Sequence, residues 1–158
     1  MESLNNIDNF NSSNPLDELK MKLSALPSFN RFSDEQIELI FSLGSTHFNQ
    51  GKISLALDFF QILLIYRPLD PRFLFSVGLC LKNLGRYQEA IAPFCAAMGL
   101  DENPINAGLH LAECLAAMGK VNEAQSLLNP IIDLSKIDNS YDSLIKRAES
   151  LKDLLEQT

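Results

Sequence analysis

Residues 78–94, GLCLKNLGRYQEAIAPF, contain the four positions that decide the fold: Gly78, Gly85, Ala90 and Phe94. The same residues occur 34 positions earlier, and the same or similar ones, small or bulky, occur 34 positions later along the chain. Residues that lie 34 positions apart form a column. The four columns, from the first to the fourth, are Gly44, Gly78 and Ala112; Gly51, Gly85 and Gly119; Ala56, Ala90 and Ala124; and Phe60, Phe94 and Leu128. A fixed period that recurs over three units predicts a stacked repeat architecture.

Each 34-residue unit is typical of two amphipathic helices joined at the glycine of the second column. Glycine ends a helix well because it enters the left-handed conformation without strain. The small residues of the first and third columns lie where the two helices face each other, so the backbones can approach closely. The bulky fourth column fills the space beside that contact. The predicted helices span 37–49, 53–66, 71–83, 87–100, 105–117 and 121–134.

This spacing resembles the tetratricopeptide repeat, which has small residues at the eighth and twentieth places of a 34-residue unit and a bulky one at the twenty-fourth. Three units cover about 37–70, 71–104 and 105–138, so we expect an all-α solenoid. Both ends of a solenoid need caps. Apolar residues at helical spacing predict a capping helix at about 140–156. Ser33 and Gln36 form a capping box that starts the first repeat helix.

The N-terminal segment carries its own helix signals. Asn14 and Pro15 are typical of an N-cap and a first helical residue, and they predict a short helix at about 15–26. Its apolar stripe consists of Leu16, Leu19, Leu23 and Leu26. The stripe would form a dimer interface or fold back on the first repeat, and the sequence favours neither. Residues 1–13 are rich in Asn and Ser and are predicted to be mobile, which leaves one helical domain over 14–158.

Charge and composition exclude several classes of function. Lys and Arg number 13 against 20 Asp and Glu, a net charge of −7 that repels nucleic acid. No stretch approaches the ~20 apolar residues of a membrane span, and the N-terminus lacks the pattern of a signal peptide, so we expect a cytoplasmic protein without stable membrane insertion. The odd cysteine count and the absence of CxxC spacing predict reduced, packed thiols at Cys80, Cys95 and Cys114.

The sequence gives little support to catalysis. His47 and His110 lie in the first helices of different units, and no HExxH, GxSxG, GxGxxG or P-loop spacing occurs. Carboxylates are numerous but scattered along solvated faces. We therefore predict a protein that is not an enzyme and that uses no metal or cofactor.

A second stripe on each first helix indicates a binding surface. Places two, five, nine and twelve of a unit cluster on the side that curves inward as units stack. Their apolar members are Phe41, Phe48, Phe75, Leu79 and Leu109, and an exposed apolar strip usually marks a binding site. Alternatively, the N-terminal helix or a neighbouring unit covers them. The candidate groove consists of Phe41, Ser45, Phe48, Arg72, Phe75, Leu79, Lys82, Leu109 and Glu113.

Over about residues 35–134 the chain resembles the class II chaperones of bacterial type III secretion. In that family two aromatic residues lie seven apart before a glycine, as in IFSLGSTHFNQGK at 40–52. The second unit opens with DPRFLFSVGLC at 70–80, which GRYQEAI follows at 85–91. The third carries HLAECLAAMGKVNEA at 110–124, the most specific of these runs. Ser45 stands where the family commonly has an aromatic residue.

The resemblance implies a cytoplasmic, ATP-independent chaperone that keeps hydrophobic translocator proteins soluble and export-competent. Its concave groove would take an extended segment near the N-terminus of the translocator, and in the family dimers commonly form through the N-terminal helix. The residues implied for the groove are Phe41, Phe48, Arg72, Phe75, Leu79 and Glu113. The alternative is a repeat scaffold or adaptor within a secretion or regulatory assembly. An adaptor that clamps a terminal carboxylate is disfavoured because Glu113 would repel that group.

Overall fold

Seven α-helices follow one another in the computed structural model, which describes residues 32–102, 104–134 and 139–157 together with positions 22 and 25. The helices are α1 (Asp34–Asn49), α2 (Ile53–Tyr66), α3 (Pro71–Asn83), α4 (Tyr87–Leu100), α5 (Ile105–Ala117), α6 (Val121–Leu134) and α7 (Asp142–Glu156), and a 3-10 turn at Asn139–Tyr141 precedes α7. Within these residues no strand occurs. The all-α prediction is confirmed, and α2 to α6 have the predicted bounds.

Some predictions for the N-terminal segment fall outside the described residues. They are the stretch 1–13 and the stripe of Leu16, Leu19, Leu23 and Leu26, while the predicted helix at 15–26 is described only at positions 22 and 25.

Local capping explains where the first helices of units one and two begin. The Ser33 hydroxyl accepts a hydrogen bond from the Gln36 amide at 3.3 Å, and the Ser33 amide donates to the Gln36 side-chain oxygen at 2.9 Å. This capping box starts α1 at Asp34, three residues before the first place of the repeat. At α3 the Asp70 carboxylate accepts from the Arg72 amide at 3.0 Å.

The glycines of the second column end α1, α3 and α5. Gly51, Gly85 and Gly119 have φ angles of 75°, 73° and 74°, in the left-handed region. Each turn has the same pair of backbone hydrogen bonds; in unit one the Gly51 amide donates to the Phe48 carbonyl and the Lys52 amide donates to the His47 carbonyl, both at 2.9 Å. These are Schellman motifs. The turn between the two helices is therefore the same in all three units.

The first and fourth columns meet where the paired helices approach most closely. A Cβ atom added to Gly78 would lie 2.7, 2.8 and 2.9 Å from three ring atoms of Phe94, whose side chain is fully buried. At Gly44 the same addition would lie 2.7 Å from the Phe60 ring. Glycine is therefore required by packing in units one and two. Unit three replaces the pair with Ala112 and Leu128, both fully buried, because a smaller side chain leaves room for the methyl group.

Helix α7 closes the C-terminal end of the stack. It packs against α6 and α5, and it buries Ile145, Ala148 and Leu155. The predicted capping helix is therefore confirmed. Among the described helices, none combines the length and the apolar character that crossing a bilayer requires.

The prediction that all three thiols are packed is wrong for one of them. Cys80 and Cys114 are buried, and burial raises their pKa values to about 12 and about 11. Cys95 is exposed. It follows Phe94 on α4, so its side chain points about 100° away from the direction in which Phe94 enters the core.

Candidate binding groove

The four large apolar residues predicted on α1 and α3 lie at the surface of the core. Phe41, Phe48, Phe75 and Leu79 are each partly exposed and pack against buried residues. A side chain in this position is available to a ligand while its base remains supported. The apolar strip is therefore present along the first two units.

The expectation that Leu109 extends this strip into unit three is wrong. Leu109 is fully buried. Its helix, α5, packs against α3, α4, α6 and α7, whereas α1 packs mainly against α2. The residue at the fifth place is therefore partly exposed in unit one, where it is Phe41, and buried in unit three, where it is Leu109.

Aromatic contacts support the fifth place in units one and two. The ring of Phe41 lies 5.7 Å from that of Phe60, and the ring of Phe75 lies 5.8 Å from that of Phe94, measured between centroids. Both partners belong to the fourth column of the repeat. Each exposed ring therefore rests on the buried ring of its own unit, which fixes its orientation before any ligand arrives.

A pocket between units one and two brings several predicted residues together. It encloses about 240 Å³ and is lined by Ser45, Phe48, Asn49, Phe60, Ser76 and Leu79. We call it the inter-repeat pocket. The Ser45 hydroxyl donates to the Phe41 carbonyl at 2.9 Å, one turn back on α1, so its polar group is already engaged. Phe48, Phe60 and Leu79 make the pocket suited to an apolar side chain.

Arg72 lies beside the strip with its charge already compensated. Its guanidinium donates to Asp70 at 2.8 and 3.1 Å and to Glu38 at 3.2 Å. Hydrogen bonds with Asp70 and Glu38 raise the pKa of Arg72 above its ordinary value. The guanidinium carbon also lies 5.5 Å from the centre of the Phe41 ring, which is cation–π distance. Arg72 therefore helps to position Phe41 through this contact.

Lys82 and Glu113 form an ion pair between units two and three, which we call the Lys82–Glu113 bridge. Arg147 of α7 pairs with the same carboxylate. The His110 Nδ1 atom lies 2.9 Å from Lys82 Nζ and 3.3 Å from the Glu113 carboxylate. The bridge therefore joins α3, α5 and α7 across the inner side of the stack.

The charge of Glu113 is stabilised by its partners. Burial raises the pKa of this carboxyl, but hydrogen bonds from His110 and Lys82 and the charges of Lys82 and Arg147 outweigh that effect and lower its pKa to about 2. Glu113 is thus a carboxylate at neutral pH with two cationic partners. Lys82 is correspondingly engaged in binding Glu113.

The groove suits an apolar ligand better than an anionic one. Both cations predicted to lie in it have carboxylate partners: Arg72 binds Asp70 and Glu38, and Lys82 binds Glu113. A ligand carboxylate would have to displace one of these partners. An apolar side chain meets no such competition in the inter-repeat pocket.

The sequence interpretation missed several residues of this site. Phe60, Asn49 and Ser76 line the inter-repeat pocket, and Arg147 holds Glu113 from the capping helix. Phe60 could have been found, because the fourth column places it beside the helix contact. Arg147 carried no signal, since nothing in the repeat relates α7 to the groove.

Both histidine rings make stacking contacts with phenylalanines. The ring of His47 stacks on Phe59 at 5.3 Å, and that of His110 stacks on Phe94 at 5.6 Å. In the part of the chain that the structure describes, no group of three or more His, Cys, Asp or Glu side chains could hold a metal ion.

Comparison with known proteins agrees with this architecture. Two family models, each described as "Tetratricopeptide repeat", match residues 37–70 and 83–147. The curated Low calcium response locus protein H of Yersinia pestis is 29% identical over 122 residues, which are 77% of this chain and 73% of that protein.

Solved structures show the same fold. The type III secretion translocator chaperone SycD of Yersinia enterocolitica superposes with a TM-score of 0.75 and 27% identity, over 81% of this chain and 88% of that one. A structure of SycD in complex with a peptide of the translocator YopD gives the same TM-score and identity, over 81% of this chain and 98% of that chain.

Proposed function

Because the chain belongs to the tetratricopeptide-repeat family and superposes on translocator chaperones over most of its length, we propose that it is a type III secretion chaperone for hydrophobic translocator proteins. Its task is to cover apolar segments of a client that would otherwise aggregate before export. That task requires binding energy rather than reaction chemistry, so the protein is not an enzyme. It acts in the bacterial cytoplasm, where its client is made.

The inter-repeat pocket carries this proposal. Three of its six lining residues, Ser45, Phe48 and Leu79, belong to the groove predicted from the repeat period. The pocket lies on the face formed by the first helices, and it offers about 240 Å³ to an apolar side chain. A client residue anchored there would gain roughly 25 cal/mol for each Å² of apolar surface removed from water.

The remaining groove residues have distinct parts in this function. Phe41 and Phe75 lie one helical turn before the pocket residues Ser45 and Leu79 and extend the apolar surface, each supported by a buried ring. Arg72 and Lys82 are held by carboxylates, so they shape the groove without attracting anionic ligands. The net charge of −7 keeps the loaded complex soluble and repels anionic lipid.

The client is a protein of the YopD type, bound through an extended segment near its N-terminus. The SycD complex contains a peptide of YopD, which is therefore the probe for this chain. Homodimer formation through Leu16, Leu19, Leu23 and Leu26 remains a prediction and is not needed for the pocket to bind.

The test compares affinity and stability for two matched phenylalanines. Phe48 lines the pocket on α1, whereas Phe59, on α2, is also partly buried but stacks on His47 of α1. Phe48→Ala should weaken binding of a fluorescent YopD peptide at least tenfold, about 1.4 kcal/mol. Phe59→Ala should leave that affinity within twofold of the original. Fluorescence anisotropy gives the affinities, and thermal melts give the stabilities.

Two results would refute the proposal. If the original chain fails to bind the YopD peptide, the translocator client is wrong, and the scaffold alternative gains support. If Phe48→Ala and Phe59→Ala weaken binding equally and in proportion to their loss of melting temperature, the peptide does not occupy the pocket.

A further inference from the structure

An apolar cavity lies on the inner side of the stack at its C-terminal end, between α5, α6 and α7. It encloses about 450 Å³, and Ala116, Val121, Leu151 and Leu154 are among its lining residues. We call it the C-terminal cavity. Leu154 lies at its rim and is 60% exposed, although its neighbour Leu155 is 8% exposed. A large apolar side chain is thus presented to solvent beside an apolar space.

The C-terminal cavity continues the proposed client groove. Glu113 and Ala116, which line it, occupy the ninth and twelfth places of unit three. The same places in unit one are Ser45 and Phe48, which line the inter-repeat pocket. In the inter-repeat pocket, the opposite wall is formed by α3, the first helix of the next unit. In the C-terminal cavity, the opposite wall is formed by α7. Both spaces therefore lie on the same face of the repeats.

Charge at the cavity favours a neutral occupant. Among the described residues that line it, Glu113 is the one with a charge, and Lys82 and Arg147 both pair with that carboxylate. A cationic ligand would compete with two residues of the protein itself. The Lys82–Glu113 bridge spans the groove between the two apolar spaces, so a bound segment passes over it from one to the other.

We propose that the C-terminal cavity is a second anchor site for the same client segment, and that it takes apolar side chains. This proposal rests on the function proposed above. The two spaces are two repeat steps apart, on the order of 20 Å if neighbouring first helices lie about 10 Å apart. An extended chain rises about 3.3 Å per residue, so the two anchors of the client should be separated by roughly six residues.

The experiment uses two leucines with matched exposure. Leu154 on α7 is 60% exposed and Leu39 on α1 is 61% exposed, so Leu154→Ser and Leu39→Ser should cost similarly little stability. The probes are the YopD peptide and the same peptide lengthened by ten residues of YopD sequence at either end. Leu154→Ser should weaken binding of a lengthened peptide about fivefold, while Leu39→Ser leaves it within twofold.

Methyl NMR of the full-length chain provides an independent measurement. The Val121 and Leu151 methyl signals should shift when a lengthened peptide is added, and intermolecular contacts should join them to the peptide. If Phe48→Ala weakens binding but Leu154→Ser does not, and the Val121 and Leu151 signals stay in place, the second site is wrong and the proposed function survives.

Other occupants would overturn the proposal in recognisable ways. Contacts between the Leu151 methyls and the leucines at 16–26 in the peptide-free protein would assign the cavity to the chain's own N-terminal segment. Shifts that depend on protein concentration would assign it to a second copy. Loss of peptide binding by the original chain would overturn the proposed function together with this extension.

Discussion

Gly78→Ala should destabilise the protein, although alanine is the better helix former. Replacing glycine within a helix gains about 0.5–1 kcal/mol in the absence of other contacts. Here the new methyl group would lie within 3.0 Å of three ring atoms of Phe94, which is fully buried and cannot move into solvent. Overpacking of this kind costs about 1–3 kcal/mol, and three such contacts favour the upper end. The net loss should be about 2 kcal/mol.

The chain supplies a control and a rescue for this substitution. Gly99 lies near the end of α4 with no heavy atom within 4 Å of an added Cβ, so Gly99→Ala should be neutral or stabilising by up to about 1 kcal/mol. Gly78→Ala combined with Phe94→Leu recreates the Ala112 and Leu128 pair of unit three. The double variant should therefore lose less free energy of unfolding than the sum of the two single losses, by at least about 1 kcal/mol.

Thermal melts of the four variants measure these effects. A loss of about 2 kcal/mol should lower Tm by roughly 4–8 °C in a chain of this size. The packing argument fails if Gly78→Ala melts at or above the original temperature, as Gly99→Ala should. It also fails if the losses from Gly78→Ala and Phe94→Leu simply add, because the two residues would then not share one contact.

Two further predictions concern titratable side chains. The pKa of Glu113 is about 2 when folded against an ordinary 4.5, so its carboxylate contributes stability above pH 4.5 that is lost as the pH falls toward 2. Glu113→Gln should lower the free energy of unfolding at neutral pH by up to about 3 kcal/mol. Denaturant titrations at several pH values should also show that this free energy falls less steeply with acid. An unchanged pH dependence would contradict the Lys82–Glu113 bridge. A thiol reagent should label Cys95 alone in the native protein, because Cys80 and Cys114 are buried. Mass spectrometry counts the labels. Rapid labelling of all three cysteines would refute the burial of Cys80 and Cys114.

The repeat period predicted the fold well because it records contacts that recur. Gly44 and Gly78 each meet the fourth-column phenylalanine of their own unit, Phe60 or Phe94, so the repeat records the same packing constraint more than once. The period also predicts a groove on the first helices, since every unit contributes the same face. It could not predict that Leu109 is buried, because that depends on which helices flank a unit and not on the unit itself.

The sequence could not predict ion pairs between distant residues of the groove, for the same reason. The repeat period predicts Glu113 on the inner face, yet its partner Arg147 lies on a helix outside the repeat. Nothing in the period fixes the rotation of α7 against α5. The C-terminal cavity, which α7 closes, was missed with it.

The ninth place shows how a repetitive fold acquires a specific groove. It holds Ser45 in unit one, Leu79 in unit two and Glu113 in unit three, at equivalent positions on nearly equivalent helices. Ser45 leaves space for a pocket, Leu79 forms an apolar wall of that pocket, and Glu113 binds Lys82. We therefore expect the residues that recur every 34 positions to carry the stability and the residues that differ at the ninth place to carry the recognition. Substitutions in the columns should change Tm first, and substitutions at the ninth place should change client affinity first.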